Sequence, residues 1–226
     1  MRQNQGHSLH LYPPENLTVE SLLFLKAALI GLSIAAPVGP IGLLCIQRTL
    51  THGMRIGFIS GLGAAVADAI YGAIGAFGLS ALTQTFVALT TPLTVLGAGF
   101  LAWLGLSTWR AAPTAQAATA GNETERASTG KAFASVLALT LMNPATILSF
   151  IAVFAAIGGS AAPNGRAAGI MVLGVFVGSA LWWLTLSAGI ATVRHKISPK
   201  LMQQINRGAG LFLIVFAAWQ LGGLLR

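Results

Sequence analysis

Long apolar runs, separated by short polar segments, extend along almost the whole chain from residue 21 onwards. The hydrocarbon layer of a bilayer is about 30 Å thick and needs roughly 20 apolar residues to be crossed by a helix. Every run reaches that length, so the pattern predicts six transmembrane helices. The predicted spans are residues 21–47, 55–81, 91–110, 131–157, 167–193 and 207–225.

Prolines interrupt two of these runs deep within their apolar stretch. Pro37, Gly39 and Pro40 lie in the first run, and Asn143-Pro144 lies in the fourth. A proline inside a helix removes a backbone donor and clashes with the carbonyl four residues before it. Proline suits the first position of a helix, and Gly or Asn suits the cap before it. We therefore predict that helices 1 and 4 are broken, with new helix starts at Pro40 and Pro144.

The two halves of the chain resemble each other. Gly97-Ala98-Gly99 in the third run matches Gly208-Ala209-Gly210 in the sixth, and the proline breaks fall in the corresponding first and fourth runs. Three spans per half is an odd number, so the second copy would lie upside down in the membrane. The predicted fold class is an all-α integral membrane protein, with six transmembrane helices as two inverted three-helix repeats and Pro-broken helices 1 and 4.

The same pattern divides the chain into four parts. The segment between the third and fourth runs is rich in Ala, Thr and Ser, as flexible connections are. The predicted parts are a short N-terminal tail at 1–20, a first repeat at 21–111, a flexible cytoplasmic loop at 112–130 and a second repeat at 131–226.

Composition excludes most soluble classes of protein. Hydrophobic residues make up 55% of the chain and charged residues 8%, whereas soluble domains carry roughly 25% charged residues. The net charge of +8 comes from bases that stand between apolar runs and form no patch, so we expect a lipid bilayer and no nucleic acid as partner. The single cysteine, Cys45, excludes disulfides within the chain.

The bases also predict an orientation. Nine of the 13 lie near the loops after spans 1, 3 and 5, and the other four lie on the opposite side. Positively charged loops stay in the cytoplasm. Loops 1–2, 3–4 and 5–6 are therefore predicted to be cytoplasmic and both termini periplasmic.

The two breaks predict a binding site. In inverted halves, the helix starts at Pro40 and Pro144 would point towards each other, each with free N–H groups and about half a positive charge. Such a pair suits a carboxylate. The alternative is two kinked helices that pack together without a ligand. Candidate residues from the breaks are Pro37, Gly39, Pro40, Asn143 and Pro144.

Asp68 is the one acidic residue inside any predicted span. A charge at that depth is costly, so its side chain should face the bundle or water. Gly61, Ala64 and Gly72 on its side of the helix allow close approach of another helix. Asp68 and Tyr71, which lies one turn on, are further candidate substrate-binding residues. Asp68 either bonds backbone groups freed by the prolines, or binds a cationic group or carries a proton. With two positive helix ends, it would suit a zwitterion such as an amino acid.

At these residues the chain resembles the lysine exporter (LysE-type) family of bacterial amino-acid exporters, from about Leu22 to Leu225. The likeness rests on Pro37-Val38-Gly39-Pro40, Ala67-Asp68, Leu141-Met142-Asn143-Pro144 and Ile205-Asn206-Arg207. It implies six helices, a bacterial inner-membrane location, and efflux of amino acids or close derivatives driven by the proton-motive force. Lysine exporters proper tend to have Gly-Pro-Gln-Asn in span 1, where this chain has Gly39-Pro40-Ile41-Gly42. The resemblance therefore leaves the transported amino acid open.

Three other functions compete with amino-acid export. Relatives in the wider superfamily export divalent metals, but a dehydrated metal needs several ligands and the spans offer only Asp68 and Cys45. An intramembrane enzyme would need a nucleophile and a base, and no His or Lys lies at the centre of a span. An assembly protein would leave the matched breaks without a purpose. We therefore expect a proton-coupled exporter of zwitterionic substrates, not an enzyme, without cofactor or metal site, with Asp68 as the proton-coupling residue. The many small residues allow a homodimer.

Overall fold

The computed structural model describes residues 14–37, 39–78, 84–85, 87–110, 122–156 and 164–224. Within these ranges it does not define the side chains of residues 14–18, 122–128, 154–156 and 199. Residues 1–13 of the predicted tail, Val38 in the first break, and residues 112–121 of the predicted loop lie outside the described part.

The described residues form eight α-helices and one short 3₁₀ turn, Arg194–Lys196. The helices are α1 Pro14–Ala35, α2 Pro40–His52, α3 Met54–Ala76, α4 Thr90–Arg110, α5 Asn122–Leu141, α6 Pro144–Ala156, α7 Gly165–Val193 and α8 Pro199–Gly223.

Both predicted breaks are confirmed, at the predicted residues. Helix α2 begins at Pro40 with Gly39 as its N-cap, and α6 begins at Pro144. The chain bends by 82° between α1 and α2 and by 61° between α5 and α6. These angles exceed an ordinary kink, because each proline ends one helix and starts a new one.

Two helices begin earlier than the sequence pattern predicted. Helix α1 starts at Pro14, inside the predicted tail 1–20, and α5 starts at Asn122, so residues 122–130 of the predicted flexible loop are helical. Pro14 occupies the first helical position that proline favours, and Glu123 and Glu125 follow Asn122, where the helix dipole favours acidic residues. Local helix-start signals therefore extend both helices beyond their apolar runs.

Four α-helices are long and apolar enough to cross a membrane, and each bent pair supplies one more span if it is counted as one, up to six among the described residues. The unbroken four are α3, α4, α7 with its 3₁₀ turn, and α8. The all-helical, membrane-spanning part of the predicted fold class is thus confirmed.

Close helix packing holds the bundle together. Helix α7 packs against both α1 and α3, α3 also packs against α5, and α4 packs against α8. The α4–α8 contact requires glycine on both sides, because a Cβ at Gly105 would lie 2.8 Å from the carbonyl oxygen of Gly210 and one at Gly210 2.6 Å from that of Gly105. Because neither residue has a side chain, the backbones of α4 and α8 lie in direct contact at this point.

The two ends of the bundle are defined by polar contacts. At one end the Arg194 guanidinium donates to the carbonyl oxygens of Leu50 at 2.8 Å and Thr51 at 3.1 Å, which joins the C-terminal ends of α7 and α2. We call this the basic end. At the other end Arg166, at the start of α7, forms an ion pair of 2.8 Å with Glu20 of α1.

Candidate functional site

A cavity of about 250 Å³ lies between the two helix breaks. Five of the seven predicted site residues, Pro37, Gly39, Pro40, Asp68 and Asn143, line it, whereas Tyr71 and Pro144 do not. The remaining lining residues are Ile34, Ala35, Ile41, Gly42, Ala64, Thr140, Ala145, Thr146, Ser149, Trp183 and Phe216.

The start of α2 lies at this cavity and has no side-chain cap. Its cap residue, Gly39, has no side chain with which to satisfy them. The first amides of a helix have no partner within the helix, and Ile41 and Gly42, which follow Pro40, both line the cavity. This helix start therefore places N–H donors and the positive end of the helix dipole at the cavity wall.

The start of α6 is capped, so the two breaks are not equivalent. The Asn143 side-chain oxygen accepts from the amide of Ala145 at 3.2 Å, and its Nδ2 donates to Thr146 Oγ1 at 3.1 Å. The backbone oxygen of Asn143 accepts from the amides of Thr146 at 3.1 Å and Ile147 at 3.2 Å. Asn143 caps α6 as its residue type predicted, and it thereby uses one of the amides that a ligand would otherwise meet.

Tyr71 stabilises the second break from outside the cavity. Its hydroxyl donates to the carbonyl oxygen of Leu141 at 2.6 Å. That oxygen would normally accept from the amide of Ala145, which instead bonds to Asn143. The Tyr71 ring lies 5.6 Å from that of Phe150 on α6. Tyr71 thus satisfies a backbone group that the break sets free, a role that the sequence had left open for Asp68.

Asp68 reaches the cavity wall from the middle of α3 with only 3% of its surface exposed. Its Oδ2 accepts a hydrogen bond from Ser179 Oγ on α7 at 2.7 Å. The Ser179 oxygen accepts in turn from the indole N–H of Trp183 at 3.2 Å. The expectation that Asp68 faces the bundle is confirmed, and its partner is a side chain of another helix.

Ser179 and Trp183 are site residues that the sequence did not single out for this role. Trp183 is buried at 3% exposure and forms part of the cavity wall. It fits only because Gly61 of α3 has no side chain: a Cβ there would overlap the Trp183 side chain. The spacing of four between Ser179 and Trp183, on an otherwise apolar helix, is the signal that could have found them.

Arg48 was predicted to lie in a loop, and that prediction is wrong. It belongs to the last turns of α2, where Nη1 donates to Ser60 Oγ of α3 at 3.1 Å and to the carbonyl oxygen of Ala132 of α5 at 2.8 Å. Its Nη2 donates to Ser135 Oγ at 2.8 Å. A charge at the end of an apolar run resembles a loop in sequence, whereas here the neighbouring helices supply its acceptors.

A second polar contact lies near Arg48. Gln47 Nε2 donates to Asn206 Oδ1 of α8 at 3.3 Å, and both side chains are buried. Together with Arg48, Gln47 ties α2 to α3, α5 and α8 between the cavity and the basic end. We call these two residues and their partners the polar layer.

Comparison with known proteins identifies the family of this chain. A family described as LysE type translocator matches residues 32–221. The chain is 30% identical over 199 residues to the putative amino acid efflux protein YcgF of Bacillus subtilis, covering 86% of this chain and 92% of that protein. It is 30% identical to the arginine exporter protein ArgO of Photorhabdus laumondii, over 88% of this chain and 91% of the relative. It is also 30% identical to the leucine efflux protein of an Enterobacter species, over 80% and 86%.

No solved structure gives a significant match. The matched family consists of translocators, which confirms the expectation of a membrane transporter and not an enzyme. The match covers both helix breaks, the cavity and Asp68, so the resemblance drawn from those motifs is confirmed as well. The chain belongs to the LysE type translocator family.

Proposed function

We propose that this protein is a secondary active exporter of amino acids or close derivatives in the bacterial inner membrane, driven by the proton-motive force. Its substrate site is the cavity between the helix breaks. The basic end faces the cytoplasm, in keeping with the nine bases on that side.

The single observation that carries the proposal is the charge arrangement of the cavity. A buried carboxylate, Asp68, and the uncapped start of α2 at Gly39 line the same space. The free amides of Ile41 and Gly42 suit a substrate carboxylate, and Asp68 suits a substrate ammonium group. This combination matches the two charged groups that all α-amino acids share.

The Asp68 carboxylate can also couple proton movement to amino-acid export. A proton and a substrate ammonium group both neutralise Asp68, so each excludes the other. A proton that enters from the periplasm would be released towards the cytoplasm when an amino acid binds there. Competition for one carboxylate in this way is sufficient for antiport.

The helix contacts favour the inverted-repeat architecture. Let α1–α4 be one half and α5–α8 the other, so that α1 corresponds to α5, α2 to α6, α3 to α7 and α4 to α8. Exchanging the two halves then turns the α1–α7 contact into the α5–α3 contact. The α3–α7 and α4–α8 contacts turn into themselves under the same exchange. We infer two inverted halves that enclose the cavity at their interface, as in other transporters with broken helices.

The names of three relatives agree with this substrate class: an amino acid efflux protein, an arginine exporter and a leucine efflux protein. The relatives differ in the amino acid named, so the chemistry of the cavity must decide among substrates.

The proposal is tested by reconstitution of the full chain and of Asp68→Asn into liposomes. Flux of a labelled amino-acid panel is compared at fixed membrane potential, with and without a pH gradient. Asn keeps the shape and accepts the Ser179 hydrogen bond but cannot titrate. We expect flux of the parent to rise with the gradient and that of the variant to ignore it. Equal responses of both proteins would remove Asp68 from the coupling.

A further inference from the structure

The cavity wall contains one charge. Among the described residues that line it, Asp68 is the only one with an acidic or basic side chain. The other acidic residues of the chain stand outside the predicted spans, and Glu20 is held in its ion pair with Arg166. One carboxylate is therefore what the site offers to a cationic group.

The other polar side chains of the wall, three hydroxyls and the Asn143 amide, are neutral. Thr140 donates to the carbonyl oxygen of Val136 at 2.8 Å, and Ser149 donates to that of Ala145 at 2.8 Å. The Thr146 oxygen accepts from Asn143 Nδ2. Their oxygens can still accept hydrogen bonds, but as neutral groups they offer no counter-charge to a second ammonium or guanidinium group, which carries three or five donors.

The rest of the wall is apolar. Ile34, Ile41, Trp183 and Phe216 contribute large side chains, and Pro37, Pro40, Ala35 and Ala64 fill between them. A surface of this kind stabilises an aliphatic or thioether side chain by burial. It offers no opposite charge to a charged side chain.

From this arrangement, and resting on the proposed function, we propose that the site selects amino acids with uncharged apolar side chains and rejects arginine and lysine. A neutral amino acid matches its carboxylate to the α2 start and its ammonium group to Asp68. Arginine and lysine bring a second cation, so one of their two cations stays buried without an opposite charge. An uncompensated buried charge is strongly unfavourable, and we expect discrimination of about a hundredfold or more.

The test is made with the full chain in liposomes under an imposed pH gradient. Labelled alanine, leucine, methionine and arginine are supplied separately at equal concentration. We expect flux of at least one of the three neutral amino acids to exceed arginine flux about a hundredfold. Arginine flux equal to the neutral ones would overturn the selectivity while leaving amino-acid export in place. If none of the four moves, the proposed function fails together with the inference.

A second variant tests whether the number of carboxylates sets the selectivity. Ser149→Asp adds an acid to the cavity wall on α6, and Ser149→Asn is its matched control of equal shape. The readout is the ratio of arginine flux to leucine flux within each variant, which cancels differences in folding and insertion. We expect Ser149→Asp to raise this ratio at least tenfold over Ser149→Asn. An equal ratio in both variants would contradict the inference.

Discussion

At the scale of single residues, the hydrogen bonds from Trp183 to Ser179 and on to Asp68 explain how a carboxylate is held inside an apolar bundle. A hydroxyl has one proton to donate. Because the Ser179 oxygen accepts from Trp183, its proton is directed to Asp68 Oδ2. The cavity wall residue Trp183 is thereby linked to the residue proposed to exchange protons.

This link predicts the effect of Ser179→Ala. The substitution leaves the buried indole N–H of Trp183 without its acceptor and removes a donor from Asp68, at a cost of about 1–3 kcal/mol for an unsatisfied buried group. We expect the pH dependence of transport to shift along the pH axis and the maximal rate to fall about tenfold. Transport is measured in liposomes as a function of external pH.

Ser107→Ala provides the matched control. Ser107 is an exposed helical serine whose hydroxyl donates to the carbonyl oxygen of Leu104 of its own helix at 2.8 Å. Its replacement should leave the pH profile in place. If Ser179→Ala also leaves the profile in place, Ser179 only fills space beside Asp68.

At the scale of helices, both breaks have a proline at the start of the following helix, but the two helix starts are capped differently. Helix α2 starts behind Gly39 without a side-chain cap, whereas α6 starts behind Asn143 with one. We infer that the uncapped start is the better anion site, because its first amides have no partner within the helix. The capped start of α6 holds its own part of the cavity wall in place.

We therefore predict that Asn143→Ala weakens apparent substrate affinity more than it lowers expression. Loss of an N-cap costs about 1 kcal/mol, which is too little to unfold a bundle of this size but moves Ala145 and Thr146 in the cavity wall. The apparent affinity is measured from the concentration dependence of transport, alongside the amount of folded protein.

The chain offers a matched control in Asn164→Ala. Asn164 caps α7 in the same way, accepting from the amide of Ala167 at 2.8 Å, but at an exposed helix start away from the cavity. Loss of affinity in both variants alike would show that capping in general, and not the cavity wall, is responsible.

The polar layer holds α2, the helix that follows the first break, against α3, α5 and α8. Arg48 donates three hydrogen bonds to neutral acceptors on α3 and α5, and hydrogen bonds from charged groups contribute about 1.5–3 kcal/mol each. In an alternating-access cycle, opening of the cavity towards the basic end would require these contacts to separate. We infer that Arg48 holds this end closed in the conformation described.

The single cysteine reports on that closure. Cys45 stands three residues before Arg48 and is fully buried, with 0% of its surface exposed. We predict that Arg48→Gln raises the rate of maleimide labelling of Cys45 about tenfold or more, while Arg110→Gln, at an exposed arginine of α4, does not. Labelling that is equally slow in both variants would show that α2 stays closed without Arg48.

At the scale of the whole molecule, the sequence predicted features that depend on short stretches of chain. Proline acts on its own helix, so the breaks at Pro40 and Pro144 could be read directly. The inward direction of Asp68 followed from the cost of a charge in lipid. Its partner Ser179 lies 111 residues away and depends on how α3 packs against α7, which no local pattern reveals.

For Arg48 the prediction from the sequence was wrong. Sequence hydropathy ends the first span at residue 47, because an arginine next to an apolar run resembles a loop boundary. Two of the three acceptors that keep Arg48 inside the bundle come from α5, 84 and 87 residues along the chain. Residues 122–130 were misjudged for another reason, since a polar segment with acidic residues in its first turn can extend a helix beyond its apolar part.

The orientation of the whole bundle is a prediction of the charge count. Cysteines introduced at Lys200 and Gln84 in a Cys45→Ser background should be labelled by an impermeant maleimide from opposite sides. We expect Lys200→Cys to react only from the cytoplasmic side and Gln84→Cys only from the periplasmic side. Opposite sidedness would reverse the orientation and, with it, the proposed direction of proton movement.

The central claim is that a proton and an amino acid compete for Asp68. The most direct test measures protons released when an amino acid binds to the purified, weakly buffered protein, from acidic to alkaline pH. We predict that the parent releases up to one proton per amino acid bound, that the release vanishes at alkaline pH where Asp68 is already ionised, and that Asp68→Asn releases none. Binding with equal proton release in the parent and in Asp68→Asn would contradict the account.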